Sequence, residues 1–206
     1  MFATPTRTAL AIAAISAATV LFAAGCSDDS DSDAGMPGMS GMPGMTRNSA
    51  APTADHNDAD VAFLESMYPH HAEAVEMAEL VPARSQDPAV VALAASIEKA
   101  QTPEMVQIGS LLQSFGRPAP QPDRGGMHNM PGMMPDGQIE SLKVLSGKDF
   151  DRQWLTLMID HHSSAIAMAN AELAGGANSV AKGLAGSIAT AQQAEIDQMR
   201  GMLGPN

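Results

Sequence analysis

A single cysteine, Cys26, excludes an intrachain disulfide, so the folded part of this chain must be held together by packing alone. Aromatic side chains are almost absent: one tryptophan, one tyrosine and five phenylalanines in 206 residues. A core of this composition has to be built from aliphatic residues and methionine around a few large rings. Basic residues are scarce too, 11 Lys and Arg against 23 Asp and Glu, for a formal net charge of −12. A chain of this sign has no general phosphate-neutralising surface, which excludes nucleic acid as a partner. The Glu-x-x-His pairs of di-iron bundles, the His-Glu-x-x-His zinc motif and the Cys-x-x-Cys-His haem attachment are all missing. Without a nucleophilic serine motif or a phosphate-binding glycine loop either, no enzymatic activity is expected.

What the chain does contain begins with an export signal. Arg7 followed by the apolar stretch Ala9 to Ala24 reads as a secretory signal peptide over residues 1–25. The run is broken by small and hydroxyl residues, unlike the ~20 solidly apolar residues of a permanent span. It ends in Leu21-Phe22-Ala23-Ala24-Gly25-Cys26, which resembles a bacterial lipobox, with Ala23 where leucine is usual. Cys26 is therefore the expected site of lipidation, placing the protein on the extracytoplasmic face of a membrane through a lipid anchor. Simple secretion with cleavage near Ala24 is the alternative. Residues 26–54 are rich in Asp, Ser, Gly, Pro and Met and read as a disordered tether. Within them Met36, Met39, Met42 and Met45 recur at every third position. Thioethers with no core to fill suit a soft ion such as Cu(I), although a low-complexity repeat with no ligand gives the same pattern.

The remainder, residues 55–206, is organised by a duplication. Phe63, Met67, His70, His71 and Met77 form an aromatic-x3-Met-x2-His-His-x5-Met pattern, repeated 91 positions later as Trp154, Met158, His161, His162 and Met168. At the same offset Leu93, Ile97, Gln101, Glu104 and Gln107 recur as Leu184, Ile188, Gln192, Glu195 and Gln198. The two copies span 58–115 and 149–203, joined by a linker over 116–137. That linker carries a second methionine-rich stretch with Met127, His128, Met130, Met133 and Met134.

Each copy reads as a helical hairpin. The first helix is expected from Asn57 or Asp58 to about Val81, with Asp60, Phe63, Met67, His70, His71, Ala74, Met77 and Val81 on one face. Pro69 predicts a kink before the histidines. Asp87-Pro88 opens a second helix running to about Phe115, with Leu93, Ile97, Gln101, Glu104, Ile108 and Leu111 inward. A short helix from Gln138 to Leu145, capped by Gly147, should precede the second hairpin, Asp149 to Ala174 and Asn178 to Leu203. The result is all-α, a four-helix bundle made from two tandem hairpins. Glu104 and Glu195 fall on apolar faces, where a carboxylate needs a partner; the histidines are the nearest donors.

Each copy offers two histidines, two methionines and a glutamate as donors; imidazole suits Cu, Zn, Fe and Ni, while thioether selects Cu(I). The candidate metal-binding residues are thus His70, His71, Met67, Met77, Glu104, His161, His162, Met158, Met168 and Glu195, with the methionines and His128 of the tether and linker. The same residues also fit ordinary core packing and polar clamps that hold the hairpins in register. The doubled motif, each copy followed by Ile-x3-Gln-x2-Glu, resembles the bacterial domain of unknown function 305 family. That resemblance implies a ferritin-like four-helix bundle, export, often a lipid anchor, and in some members copper binding and copper tolerance. Copper buffering or delivery to a copper-handling protein is the function expected. A metal-free interaction module of the cell envelope and a Cu(I) oxidase are the alternatives.

Overall fold

The computed structural model describes residues 55–118, 120, 133–135 and 137–204. The signal peptide, Cys26, the tether with Met36 to Met45, and Met127, His128 and Met130 of the linker lie outside the described residues. The helices are α1 (Asp58–Arg84), α2 (Pro88–Ser114), the short α3 (Gln138–Lys143), α4 (Gly147–Gly175) and α5 (Ser179–Leu203). There is no strand among the described residues, and no described helix is long and apolar enough to cross a membrane.

The helix starts follow from their caps. Asn57 receives the amides of Ala59 and Asp60, and Asp60 receives the amide of Asn57 at 2.7 Å, a reciprocal capping box. Asp87 caps α2 with Pro88 in the first turn, and Asn178 caps α5 through the amides of Val180 and Ala181. Two boundaries differ from expectation. α1 continues through Pro69 and Pro82 to Arg84, because a proline disturbs the preceding turn without forbidding the next. Gly147 does not cap α3; with φ of 59° it begins α4, taking up the left-handed backbone that redirects the chain from one helix into the next.

α1 packs on α2 and α4 packs on α5, and the hairpins join mainly through α1 and α4; α2 and α5 meet only weakly. Side-chain clusters show how α1 and α4 run. Met67 and Met168 belong to the cluster of Phe63, Leu64, Ile108, Leu112 and Ile188. Met77 and Met158 belong to the other, around Phe150, Trp154, Ile97 and Ile196. The upstream part of α1 therefore lies beside the downstream part of α4, so the two are antiparallel. Asn57 Nδ2 accordingly reaches the Gly175 carbonyl at 2.9 Å. All eight residues expected on the inner face of α1 are buried. On α2 the stripe ends on Leu112, with Leu111 at the edge. The histidine motifs sit between the two clusters, where α1 and α4 cross.

Candidate functional site: a histidine layer shared by the two repeats

Adjacent residues on a helix point about 100° apart, so the members of a His-His pair cannot share a target. The structure uses this divergence twice. His71 turns within its own repeat and places Nε2 2.7 Å from Glu104 Oε2 on α2. His162 does the same to Glu195 Oε2 on α5, also at 2.7 Å. Both imidazoles are fully buried, while the Glu104 and Glu195 side chains keep 22% and 17% exposure. A carboxylate that keeps some contact with water and is paired on its buried side is tolerated on an apolar stripe.

His70 and His161 turn the other way, across the boundary between repeats, and stack on each other with centroids 3.6 Å apart and ring planes 29° apart. Each also faces the residue three positions after the partner's first histidine. His70 Nε2 lies 2.7 Å from Ser164 Oγ. Ser164 spends its hydroxyl proton on the His161 carbonyl at 2.7 Å, so its oxygen accepts and His70 Nε2 donates. His161 Nε2 lies 3.2 Å from Glu73 Oε2, close but not aligned for a hydrogen bond. Glu73 also receives the Met134 amide at 3.0 Å. Burial drives the His161 pKa well below 6.5, reinforced by His162 and His71 nearby and opposed weakly by the His70 backbone. His161 is thus neutral at physiological pH.

The thioethers flank this layer: Met67, Met77 and Met158 are fully buried and Met168 is partly buried. Gln101 and Gln192, one turn before the clamp glutamates, are buried with no hydrogen-bond partner for either amide atom among the described residues. His71 Nδ1 and His162 Nδ1 are likewise buried without partners. No three His, Cys, Asp or Glu side chains group around one point among the described residues. An ion held here would need thioether or exogenous donors to complete its coordination. The donor chemistry fits copper, since His71, His161 and His162 each carry an unpartnered buried Nδ1 and four methionines lie in the adjoining layers.

Of the sequence candidates, the structure brings the four histidines together with Glu104 and Glu195, and sets the four helical methionines above and below them. Met133 is half-buried at the end of the linker. Two residues of the layer, Glu73 and Ser164, were not among the sequence candidates, and Met134, expected in the linker, belongs to the core. The signal available for Glu73 was the repeat itself, because 91 positions later the equivalent residue is Ser164.

A second buried polar group lies at the end of the bundle. Asp60 accepts the amides of Asn57, Ala177 and Asn178, tying the start of α1 to the α4–α5 turn. Burial alone would raise its pKa; these amides together outweigh that and hold it below 3.8. Glu172, 1% exposed, faces Asp60, and burial followed by that neighbouring carboxyl raises its pKa to about 7. Lys182, whose Nζ reaches the Gly176 carbonyl at 3.2 Å, opposes the rise. Gly176 leaves the space Glu172 occupies, since a Cβ there would overlap its carboxyl group.

Comparison with known proteins agrees with this architecture. A protein of Streptomyces coelicolor is 32% identical, with a TM-score of 0.64 over 70% of this chain and 91% of its own. A fragment from Deinococcus radiodurans is 34% identical, with a TM-score of 0.65 over 72% and 97%. CopM in its Cu(II)-bound form is 31% identical, with a TM-score of 0.61 over 70% and 95%. CopM structures in Cu(I)-bound, Ag-bound and apo forms match at 29–30% identity. No functionally curated protein matches. Residues 60–203, from the carboxylate that caps α1 to the last residue of α5, match the family described as Domain of unknown function (DUF305), and the chain belongs to that family.

Proposed function

We propose that this protein is an exported, lipid-anchored copper-binding protein that buffers copper or hands it to a copper-handling partner, without catalysing a reaction. The observation that carries the reading is the similarity to CopM, a protein seen with Cu(II), Cu(I) and silver, over the part of this chain that holds the histidine layer. In this proposal His70, His71, His161 and His162 supply imidazole nitrogen, and Met67, Met77, Met158 and Met168 supply thioether sulfur. The tether methionines Met36, Met39, Met42 and Met45, with Met127, His128, Met130 and Met133, capture Cu(I) at the surface. Bound copper would supply no chemistry beyond its own storage and transfer. The anchor at Cys26 would keep the domain at the membrane, and Cys26→Ser should release it into the soluble fraction.

The rival reading is a metal-free interaction module. It is favoured by one specific feature: each of the four histidines already faces a partner side chain within the bundle. Metal analysis of the purified protein separates the two. If the histidines hold copper, replacing His161 and His162 with Gln lowers the copper stoichiometry, and the His70/His71 double variant does likewise. Deleting Met36–Met45 or Met127–Met134 should reduce Cu(I) binding more than Cu(II) binding. Copper uptake unchanged by all four alterations leaves the interaction module as the function.

A further inference from the structure

The two clamps raise a question of atoms: which imidazole nitrogen is available to a metal ion, and what the glutamates contribute. We propose that His71 and His162 bind through Nδ1, and that Glu104 and Glu195 are positioning residues that fix the tautomer rather than ligands. This rests on the copper-binding reading above and specifies its chemistry.

The position of the ring proton decides which nitrogen can bind. Glu104 and Glu195 each present a carboxylate oxygen to the ring, and a carboxylate oxygen accepts a hydrogen bond. A proton on Nε2 meets that oxygen at 2.7 Å, whereas a proton on Nδ1 would be buried with no acceptor. In a neutral imidazole the lone pair is then on Nδ1. A doubly protonated ring would instead bury an N–H with no acceptor, because Nδ1 has no partner in either clamp. The arrangement occurs twice, with the same separation of 33 residues and the same unpartnered nitrogen. A histidine whose outer N–H is held by a carboxylate is a more basic and better oriented ligand.

The residue types that share a helix face with each histidine define the class of ion. Met67 precedes His71 by four residues and Met158 precedes His162 by four, so each pair shares a helix face. With no third His, Cys, Asp or Glu grouped nearby among the described residues, an imidazole–thioether pair suits a soft monovalent cation of low coordination number. Cu(I) and Ag(I) are such ions. Glu104 and Glu195 are then spared from coordination, and they differ in position from Glu73, which meets a histidine of the other repeat.

The test uses the purified full chain with 15N-labelled histidine. Long-range proton–nitrogen spectra of the metal-free protein should show His71 and His162 as Nε2–H tautomers. Titration with Ag(I), which is diamagnetic, should shift Nδ1 of both residues while the Nε2 proton persists. Glu104→Gln and Glu195→Gln, whose amides accept or donate equally well, should give mixed tautomers and weaken Ag(I) binding by roughly 10–100-fold. An Nδ1–H tautomer in the metal-free protein overturns the proposal. So does an Ag(I) shift at Nε2 with loss of the glutamate contact, while leaving the copper-binding function intact. Ag(I) bound at stoichiometric levels with no imidazole shift assigns the ion to thioethers alone and also overturns it. Absence of Ag(I) and Cu(I) uptake removes the copper-binding reading itself. The wild-type spectra decide the tautomer even if a glutamate variant fails to fold.

Discussion

The two repeats agree where a histidine faces its own hairpin and differ where it faces the other one. His71–Glu104 and His162–Glu195 are identical in residue type, distance and spacing. Across the boundary His70 meets the serine hydroxyl of Ser164, but His161 meets the carboxylate of Glu73. Each clamp has its own pair of positions, and both copies nonetheless keep the same residues at the same distance. A contact between hairpins can diverge on one side, because Glu73 and Ser164 are separate positions serving separate histidines. The duplication has thus kept two equal clamps and acquired one asymmetric centre.

The largest effect expected from testing this comparison concerns the aromatic residue that opens each motif. Trp154 is fully buried and donates its indole N–H to the Met77 carbonyl at 2.9 Å; its equivalent Phe63 is 4% exposed and has no polar atom. Trp154→Ala should cost about 3–5 kcal/mol from the cavity alone, and it also leaves the indole's partner without that bond. Phe63→Ala should fall at the lower end of the same range. Urea unfolding of both variants measures the difference. Equal losses would mean that the tryptophan's hydrogen bond adds nothing to its volume.

Second comes the pair of carboxyls at the bundle end, where the repeats also part company. The position equivalent to Glu172 in the first repeat is Val81, and Asp60 corresponds to the half-buried Asp151. A carboxyl whose folded pKa is raised from 4.5 to about 7 binds its proton more tightly in the folded state. Its contribution is therefore fully favourable below pH 4.5 and is lost as pH rises through 7. Asp60, held below 3.8, behaves oppositely and loses its contribution only in acid. Glu172→Gln imitates the protonated form at every pH. It should be more stable than the parent at pH 8, by up to about 3 kcal/mol, with the advantage vanishing near pH 4.5. Denaturation at pH 5 and pH 8 checks the slope, and parallel curves for variant and parent would remove Glu172 as its source.

The architecture was legible because the duplication wrote the same helix face twice. Glu104 and Glu195 each stood on a largely apolar stripe, which implied a partner on the neighbouring helix, and the histidines supplied it. What stayed hidden was whatever depended on the relation between hairpins. Nothing local marks Glu73 as buried, since its partners come from α4 and from Met134 in the linker, 61 positions away. Glu172 and Asp60 are 112 positions apart by the numbering and meet only because α1 and α4 run antiparallel. Leu111 and Leu112 show the limit of periodicity at a helix end, where small rotations decide which neighbour faces inward. Positions at which the copies disagree in polarity, Glu73 with Ser164 and Glu172 with Val81, turned out to carry the asymmetry.

The smallest effect bears on the asymmetric centre itself. Glu73→Ala removes the acceptor of the Met134 amide and the carboxylate beside His161, so a buried donor loses its partner. The expected cost is about 1–3 kcal/mol. Ser164→Ala deprives His70 Nε2 and the His161 carbonyl of a single hydroxyl, for about 1 kcal/mol. Glu73→Ser makes the two crossings alike and should fall between these values, since a hydroxyl is too short to replace both carboxylate contacts. If the centre's asymmetry serves the linker, Glu73→Ser should also speed proteolysis next to Met134, which loses its anchor on α1, while Ser164→Ala leaves that rate unchanged. Equal proteolysis of the two variants would mean that Met134 is held by its apolar packing, and that the carboxylate at position 73 serves His161 alone.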